Sequence, residues 1–163
     1  NAYCQDNEIS WFDWSLVEKH SDLHRFVRLL IARRLLRDMD HEHKRIDLTT
    51  FLQNAKHEWH GVKLGQPDWG SNSRCIALSA EIRREGLKFH FILNSYWEPL
   101  EFELPPLEDG QCWNRWIDTA LDSPDDIIPW ESATRVAQEV YKAAARSVVV
   151  LIASLSTSFP KEP

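Results

Sequence analysis

Apolar and polar residues follow two different periods along this chain, and the change falls near residue 56. From about Ser15 to Lys56 the recurrence is helical. Leu23, Phe26, Val27, Leu30 and Ile31 sit at three- and four-residue spacing, which aligns them as one stripe. Ser21 predicts an N-cap and Asp22 suits the positive end of the helix dipole, while Arg25, Arg28, Arg33 and Arg37 lie mostly off the stripe. The polar run Arg37-Asp-Met-Asp-His-Glu-His-Lys-Arg45 ends that period. A second short helix is expected over Leu48–Lys56, with Phe51, Leu52 and Ala55 facing a core.

From about His57 to Ala153 the period becomes two, the mark of half-buried strands. Ile76, Leu78, Ala80 and Ile82 share one face; Ser79, Glu81 and Arg83 take the other. Past Arg84-Glu85-Gly86 the pattern resumes with Leu87, Phe89, Phe91 and Leu93 expected inward and Lys88, His90 and Asn94 outward. The short glycine-containing connection makes the pair a β-hairpin. Leu100, Phe102 and Leu104 form another inward row, with Glu101 and Glu103 outward and Pro105-Pro106 closing it. Ser147–Ala153 is apolar on both faces and reads as a covered strand. An antiparallel β-sandwich preceded by a helical segment is therefore expected, a mainly β fold.

Composition narrows the function classes. With 163 residues, 43% hydrophobic and 27% charged, the chain can bury one sizeable core. The net charge of −6 disfavours a general nucleic-acid binder, which needs a cationic face. No stretch reaches the roughly 18 apolar residues of a membrane span. Three separated cysteines, Cys4, Cys75 and Cys112, suit reduced thiols, so a cytoplasmic compartment is expected, or a plastid in a plastid-bearing source.

Candidate chemistry is sparse. His41-Glu-His43 and His57-Glu-Trp-His60 invite zinc, yet neither forms the helical His-Glu-x-x-His arrangement and no cysteine pair is near. The acidic turn Asp122-Ser-Pro-Asp-Asp126 lacks the length and glycine of a calcium loop, so Ser123 and Asp126 are expected to make turn hydrogen bonds. No metal and no cofactor is expected. Among the 8 tryptophans, Trp113 and Ile117 share a strand face, which makes Trp113 the expected core residue. Trp116 on the opposite face either packs under a loop or forms an exposed platform for stacking. Trp69 and Trp97, in loop contexts, are the alternative platforms.

The opening run Asn1-Ala-Tyr-Cys-Gln-Asp-Asn-Glu-Ile-Ser-Trp-Phe-Asp-Trp14 is dense in amide, carboxylate and indole groups. It resembles a segment of bacterial glycogen debranching enzymes of the isoamylase type, in the α-amylase clan of glycoside hydrolases. Trp59-His-Gly-Val62, Gln66-Pro-Asp-Trp69, Asn94-Ser-Tyr-Trp-Glu-Pro99, Phe102-Glu-Leu-Pro105, Trp116-Ile-Asp-Thr119 and Arg146-Ser-Val-Val-Val-Leu151 are similar to landmarks of that family's C-terminal domain, in the same order. The likeness departs at Arg37-Asp-Met-Asp-His41, where family members commonly carry Arg-Arg-x-His-Pro.

The resemblance implies that residues 1–56 are the end of a (β/α)8 barrel: the loop after strand eight, helix eight and a short helix. Residues 57–155 would be the α-amylase-type C-terminal sandwich, and 156–163 a disordered tail. It implies a parent that hydrolyses α-1,6 branches of glycogen- or starch-like glucans with retention, using carboxylates that all precede Asn1. No catalytic residue is therefore expected in this chain. Because barrel active sites gather at the C-terminal ends of strands, the opening loop would border the cleft. Asn1, Tyr3, Gln5, Asp6 and Asn7 are then candidates for sugar contact, against the alternative that they brace the loop by bonds to backbone amides. Trp11 and Trp14 are expected to pack.

Three function classes follow: a non-catalytic part of a debranching enzyme, a stand-alone carbohydrate-binding sandwich, or a protein-interaction domain. The expected partners are a branched α-glucan, through the parent enzyme, and the missing barrel. The helix stripe, with Leu23, Phe26, Val27, Leu30 and Ile31, should bury against the sandwich or against a second copy.

Overall fold

The computed structural model describes residues 3–40, 56–82, 86–108 and 110–155, with side chains given except at 33–40 and 131. Asn1, residues 48–55 of the expected helix over Leu48–Lys56 and the expected tail 156–163 lie outside the described residues, while Lys56 itself is a strand residue. The predicted hairpin is present. Strand β2 (Cys75–Ile82) pairs antiparallel with β3 (Leu87–Asn94), from Cys75 opposite Asn94 to Ile82 opposite Leu87. Gly86 has a φ of +64°, the left-handed geometry that a side chain resists.

Four more strands extend this hairpin into a six-stranded sheet. These are β1 (Lys56–His60) beyond β2, then β8 (Ser147–Ser154), β5 (Trp113–Asp118) and β6 (Thr134–Val136), giving the order β1-β2-β3-β8-β5-β6. The apolar run Ser147–Ala153 thus became the inner strand β8, covered on both faces as its composition requires. Against one face lies a two-stranded sheet of β4 (Leu100–Glu103) and β7 (Val140–Ala143). Phe102 and Leu104 point from it into the core while Glu101 and Glu103 stay exposed, matching the expected row. Ala77, Ile92, Trp113, Val149 and Leu151 meet them from the larger sheet. The fold is a mainly β, antiparallel sandwich.

The expected inward face of the hairpin is corrected by the structure. Leu87, Phe89, Phe91 and Leu93 do share one face, but it points away from the two-stranded sheet. His90 and Asn94, expected outward, are buried in the sandwich with Ser79. The reason is that both faces are covered. From this hairpin the sandwich side receives Ala77, Ile92 and the hydrogen-bonded Ser79, His90 and Asn94. The reverse side takes the large aromatics, under a loop carrying Ile127 and Trp130 and under a helix. An alternation of large and small residues specifies the rows, not which row is inside.

A second correction concerns β5. Its register on β8 shifts between Arg115 and Ile117, so Trp116 is a bulged residue. Past the bulge the faces exchange: Ile117 leaves the face of Trp113 and joins Trp116 on the aromatic side, while Asp118 turns into the sandwich. Trp113 remains a core residue as expected, and its indole donates to the Pro105 carbonyl at 2.9 Å.

The helical half begins earlier than Ser21. Asp13 Oδ1 accepts from the Ser15 amide at 3.0 Å and from its hydroxyl at 2.6 Å, starting α1 (Ser15–Lys19). These bonds hold the Asp13 carboxyl below its ordinary pKa. Ser21 is then the first residue of α2 (Ser21–Asp40) rather than a cap. Only Phe26 of the predicted stripe packs on the sheet, joined by Leu29; Leu23, Val27, Leu30 and Ile31 stay exposed. Arg25 sets this rotation. Its guanidinium pairs with Asp126 and donates to Ser123 Oγ (3.0 Å), the Pro124 carbonyl (3.2 Å) and the Ile127 carbonyl (3.3 Å). The acidic turn is thus filled by a side chain 98 to 102 residues away in sequence. Arg25→Ala is expected to destabilise the chain by about 2 kcal/mol, because Asp126 is left half-buried without its cation. Urea unfolding with amide exchange across α2 checks this; unchanged protection at Phe26–Ile31 would count against the clamp. Arg25→Lys should recover only part, since an ammonium cannot span four acceptors in a plane.

Candidate functional site

The opening loop binds itself. Asn7 Oδ1 accepts from the Ile9 amide (3.0 Å), and Asn7 Nδ2 donates to Gln5 Oε1 (3.0 Å). Trp11 Nε1–H donates to Asp6 Oδ1 at 2.7 Å, and the Ser10 hydroxyl donates to the Gln5 carbonyl. Asp6, Asn7 and Gln5 therefore have the bracing bonds that polar loop residues usually make. Tyr3 is exposed and outside this network. Trp11 and Trp14, expected to pack, are also exposed; Trp14 stands edge-on to Phe12, with centroids 5.0 Å apart.

The sandwich presents aromatics at two loops. Trp59 of β1 lies in a cross-strand row with Leu78, Phe91 and Val150, on the aromatic side of the sheet. Trp69, 66% exposed, stands edge-on to it with centroids 5.5 Å apart. The loop carrying Trp69 is tight: a Cβ on Gly61 would lie 2.4 Å from the Gln66 carbonyl oxygen, so only glycine fits. Next along the same face, Leu93 pairs with Ile76 and Val148 and is itself exposed, as is Val148. This row continues the apolar side beyond Phe26 and Leu29 of α2.

At the second loop, Tyr96 and Trp97 stack with centroids 4.0 Å apart and planes inclined by 32°. Trp116 is different. It is half-buried against Phe89 (6.3 Å) and perpendicular to Trp130 (5.4 Å), so packing accounts for its position.

Inside the sandwich runs a polar chain that the alternation pattern did not reveal. The Gly65 amide donates to His60 Nδ1 at 2.9 Å, which makes Nε2 the protonated nitrogen. That nitrogen then donates to Ser79 Oγ (2.9 Å), and the Ser79 hydroxyl donates to His90 Nδ1 (3.0 Å). His90 Nε2–H has no acceptor. Burial pushes the His90 pKa down to about 3, helped by His60 and Lys88. His60 is also lowered, by burial first and Lys88 second, against the raising effect of Glu58. Both ring nitrogens of His60 are engaged, so neither offers a lone pair to zinc. His41 and His43 lie outside the described residues.

The enclosed carboxylates are likewise committed. Asp118 accepts from the Tyr141 hydroxyl at 2.7 Å and the Ala120 amide at 3.0 Å. Burial and that bond raise the Tyr141 phenol. Asp126 accepts from Arg25 and from the Ile127 amide. Among the described residues no three metal-ligating side chains gather, and no helix is long and apolar enough to cross a membrane.

This geometry defines an antiparallel C-terminal β-sandwich of the isoamylase-type enzymes, with a helical lead-in. The sequence model of the family described as Isoamylase 1-3, C-terminal, matches residues 58–157, and the chain belongs to that family. It is 32% identical over 131 residues to isoamylase 1, chloroplastic, of Arabidopsis thaliana, covering 78% of this chain and 16% of that protein. It is 29% identical over 175 aligned positions to the glycogen operon protein GlgX homolog of Mycobacterium tuberculosis (strain ATCC 25618 / H37Rv), covering 93% of this chain and 23% of that protein. Isoamylase 3, chloroplastic, of Oryza sativa subsp. japonica is 28% identical over 131 residues, 79% of this chain and 15% of its own length. The chain thus spans less than a quarter of each of these relatives.

Proposed function

We propose that this chain is the non-catalytic C-terminal part of an enzyme that hydrolyses α-1,6 branch linkages in glycogen- or starch-like glucans with retention. Family membership supports the enzyme class, and the names of the relatives support a glucan substrate. In this reading residues 1–56 complete a catalytic barrel, residues 57–155 buttress it, and the reacting carboxylates belong to the barrel. The opening loop, with Asn1, Tyr3, Asp6 and Asn7, borders the cleft. The compartment is the cytoplasm, or a plastid as in the relatives named chloroplastic.

One observation carries the buttress role. Leu23, Val27, Leu30 and Ile31 of α2 are exposed, and so are Trp59, Trp69, Leu93 and Val148 on the sheet face that α2 lies against. Apolar surface of this extent is uncommon on a monomer in water, so it speaks for burial against a further body. The same surface supports a second reading, self-association of two copies.

Release of reducing ends from an α-1,6-branched glucan tests the proposal. The chain alone should release none, and a protein extended upstream through the barrel should release them. Hydrolysis by the chain alone, or an inert extended protein, overturns it.

A further inference from the structure

The exposed aromatics of this domain stand in two unlike settings. Trp59 and Trp69 are perpendicular to each other and continue an apolar sheet face, as suits contact with protein. Trp97 leans against Tyr96 with ring centroids 4.0 Å apart and planes inclined by 32°, and 63% of its surface is in solvent. With Tyr96 against one side of the indole, the open area is the other side. Its chain neighbours and the segments bonded to its loop are polar: Ser95, Glu98, Arg74 and Arg146, all exposed.

The loop holding this ring is fastened from beneath. Asn94, buried at the end of β3, accepts from the Tyr96 amide at 3.1 Å. Its side-chain nitrogen points to the carbonyls of Glu98 (3.1 Å), Ala144 (2.8 Å) and Ala143 (3.4 Å). Ser95 donates twice to the Arg74 carbonyl, from its amide at 2.9 Å and its hydroxyl at 2.6 Å. The Arg146 amide donates to the Tyr96 carbonyl at 3.1 Å, and Arg146 holds a φ of +53° that a non-glycine residue adopts only under constraint. The loop backbone beneath this solvent-facing indole is thus fixed, so little loop freedom remains to be lost when something lands on it.

A flat, rigid, amphipathic ring with charged hydrogen-bonding groups beside it matches a pyranose. Axial C–H groups of the sugar pack on the indole face, and the hydroxyls around the ring edge reach Arg and Glu. The groups beside Trp97 on its own loop, Ser95 and Glu98, are polar and exposed, unlike the apolar row in which Trp59 lies. We propose that Trp97, backed by Tyr96 and anchored through Asn94, is a binding platform for a glucose unit in a linear α-1,4 segment of the glucan. The choice of α-glucan rests on the function proposed above; the platform geometry does not.

Titrating maltoheptaose into the 163-residue chain, followed by tryptophan fluorescence and by amide and indole shifts, tests this. Binding is expected with a Kd on the order of 1 mM, typical of one stacking site, with shifts centred on Trp97 and residues 95–98. Trp97→Ala should weaken binding about tenfold or more, and Trp97→Tyr should stay within about threefold, since a smaller aromatic face remains. Trp69→Ala should change nothing. Because Trp97 is exposed, circular dichroism should show all three variants folded. Absence of a maltoheptaose response, or a response equal in Trp97→Ala, overturns the platform and leaves the indole to a protein contact. If the extended protein debranches glucan while the platform test fails, only the platform is lost. If the chain binds maltoheptaose through Trp97 while the extended protein is inert, the debranching role is lost and the platform stands.

Discussion

Phe102→Ala is expected to destabilise the chain by about 3–5 kcal/mol, the usual range for emptying a fully buried aromatic site. Phe102 is 0% exposed and lies in β4, one of only two four-residue strands that make up the smaller sheet. That sheet is held to the larger one by few side chains, with Phe102 against Ala77, Ile92, Trp113, Val149 and Leu151 at the centre. The neighbours are themselves fixed in four strands of the larger sheet, so the cavity cannot collapse by a small adjustment. A loss of this size is a large share of the roughly 5–15 kcal/mol that stabilises a typical domain. Thermal melting should show a fall on the order of 10 °C for a chain of this length. Leu93→Ala, on the open face, should move the midpoint little. A Phe102→Ala loss below about 1 kcal/mol would mean the two sheets do not depend on this contact.

Acid is expected to destabilise the chain before its carboxylates titrate, through His60 and His90. An unfolded histidine takes up its proton near 6.5, whereas His90 in the sandwich does so only near 3 and His60 is shifted the same way. Between these values the unfolded state binds more protons, so stability rises with pH across the window. The contribution is complete above pH 6.5 and disappears as pH falls toward 3. Each pH unit well inside the window removes about 1.4 kcal/mol through His90, or about 2 kcal/mol by about pH 5, and His60 acts in the same direction. The charged groups nearby work in both directions: Glu58 favours a protonated His60, while Lys88 opposes protonation of both rings. Urea unfolding from about pH 7 to pH 5 measures the slope. His90→Gln, which cannot titrate, should flatten it by nearly one proton. A wild-type stability that stays level to pH 5 would show that the relay is open to water.

The sequence carried much of this fold in its local periods. The β2–β3 hairpin, the Leu100–Leu104 row and the covered strand over Ser147–Ala153 were legible because a strand face repeats every two residues whatever lies opposite. So was the family, through short landmarks in order. Pinning of Asp6 and Asn7 by their neighbours was legible too, as one of two readings, because Asx-type bonds are made within a few residues. The helical period from about Ser15 was legible as well, since α1 starts there and α2 starts at Ser21, which is a first helical residue and not an N-cap.

Tertiary structure alone decided what crosses between elements. Period two cannot tell which side of a sheet receives the second sheet, so His90 and Asn94 are buried where the pattern placed them outside. A one-residue bulge at Trp116 exchanged the faces of Ile117 and Asp118, and no residue type announces such a bulge. Arg25 meets Asp126, and His60 meets His90 through Ser79, only because the chain brings distant segments together. Of Trp69, Trp97 and Trp116, all three aromatic in loop or strand-end contexts, one faces an apolar sheet, one lies open on Tyr96 and one is packed. Local sequence determines which side chains are available; exposure and partner depend on contacts made far along the chain, where no periodicity reaches.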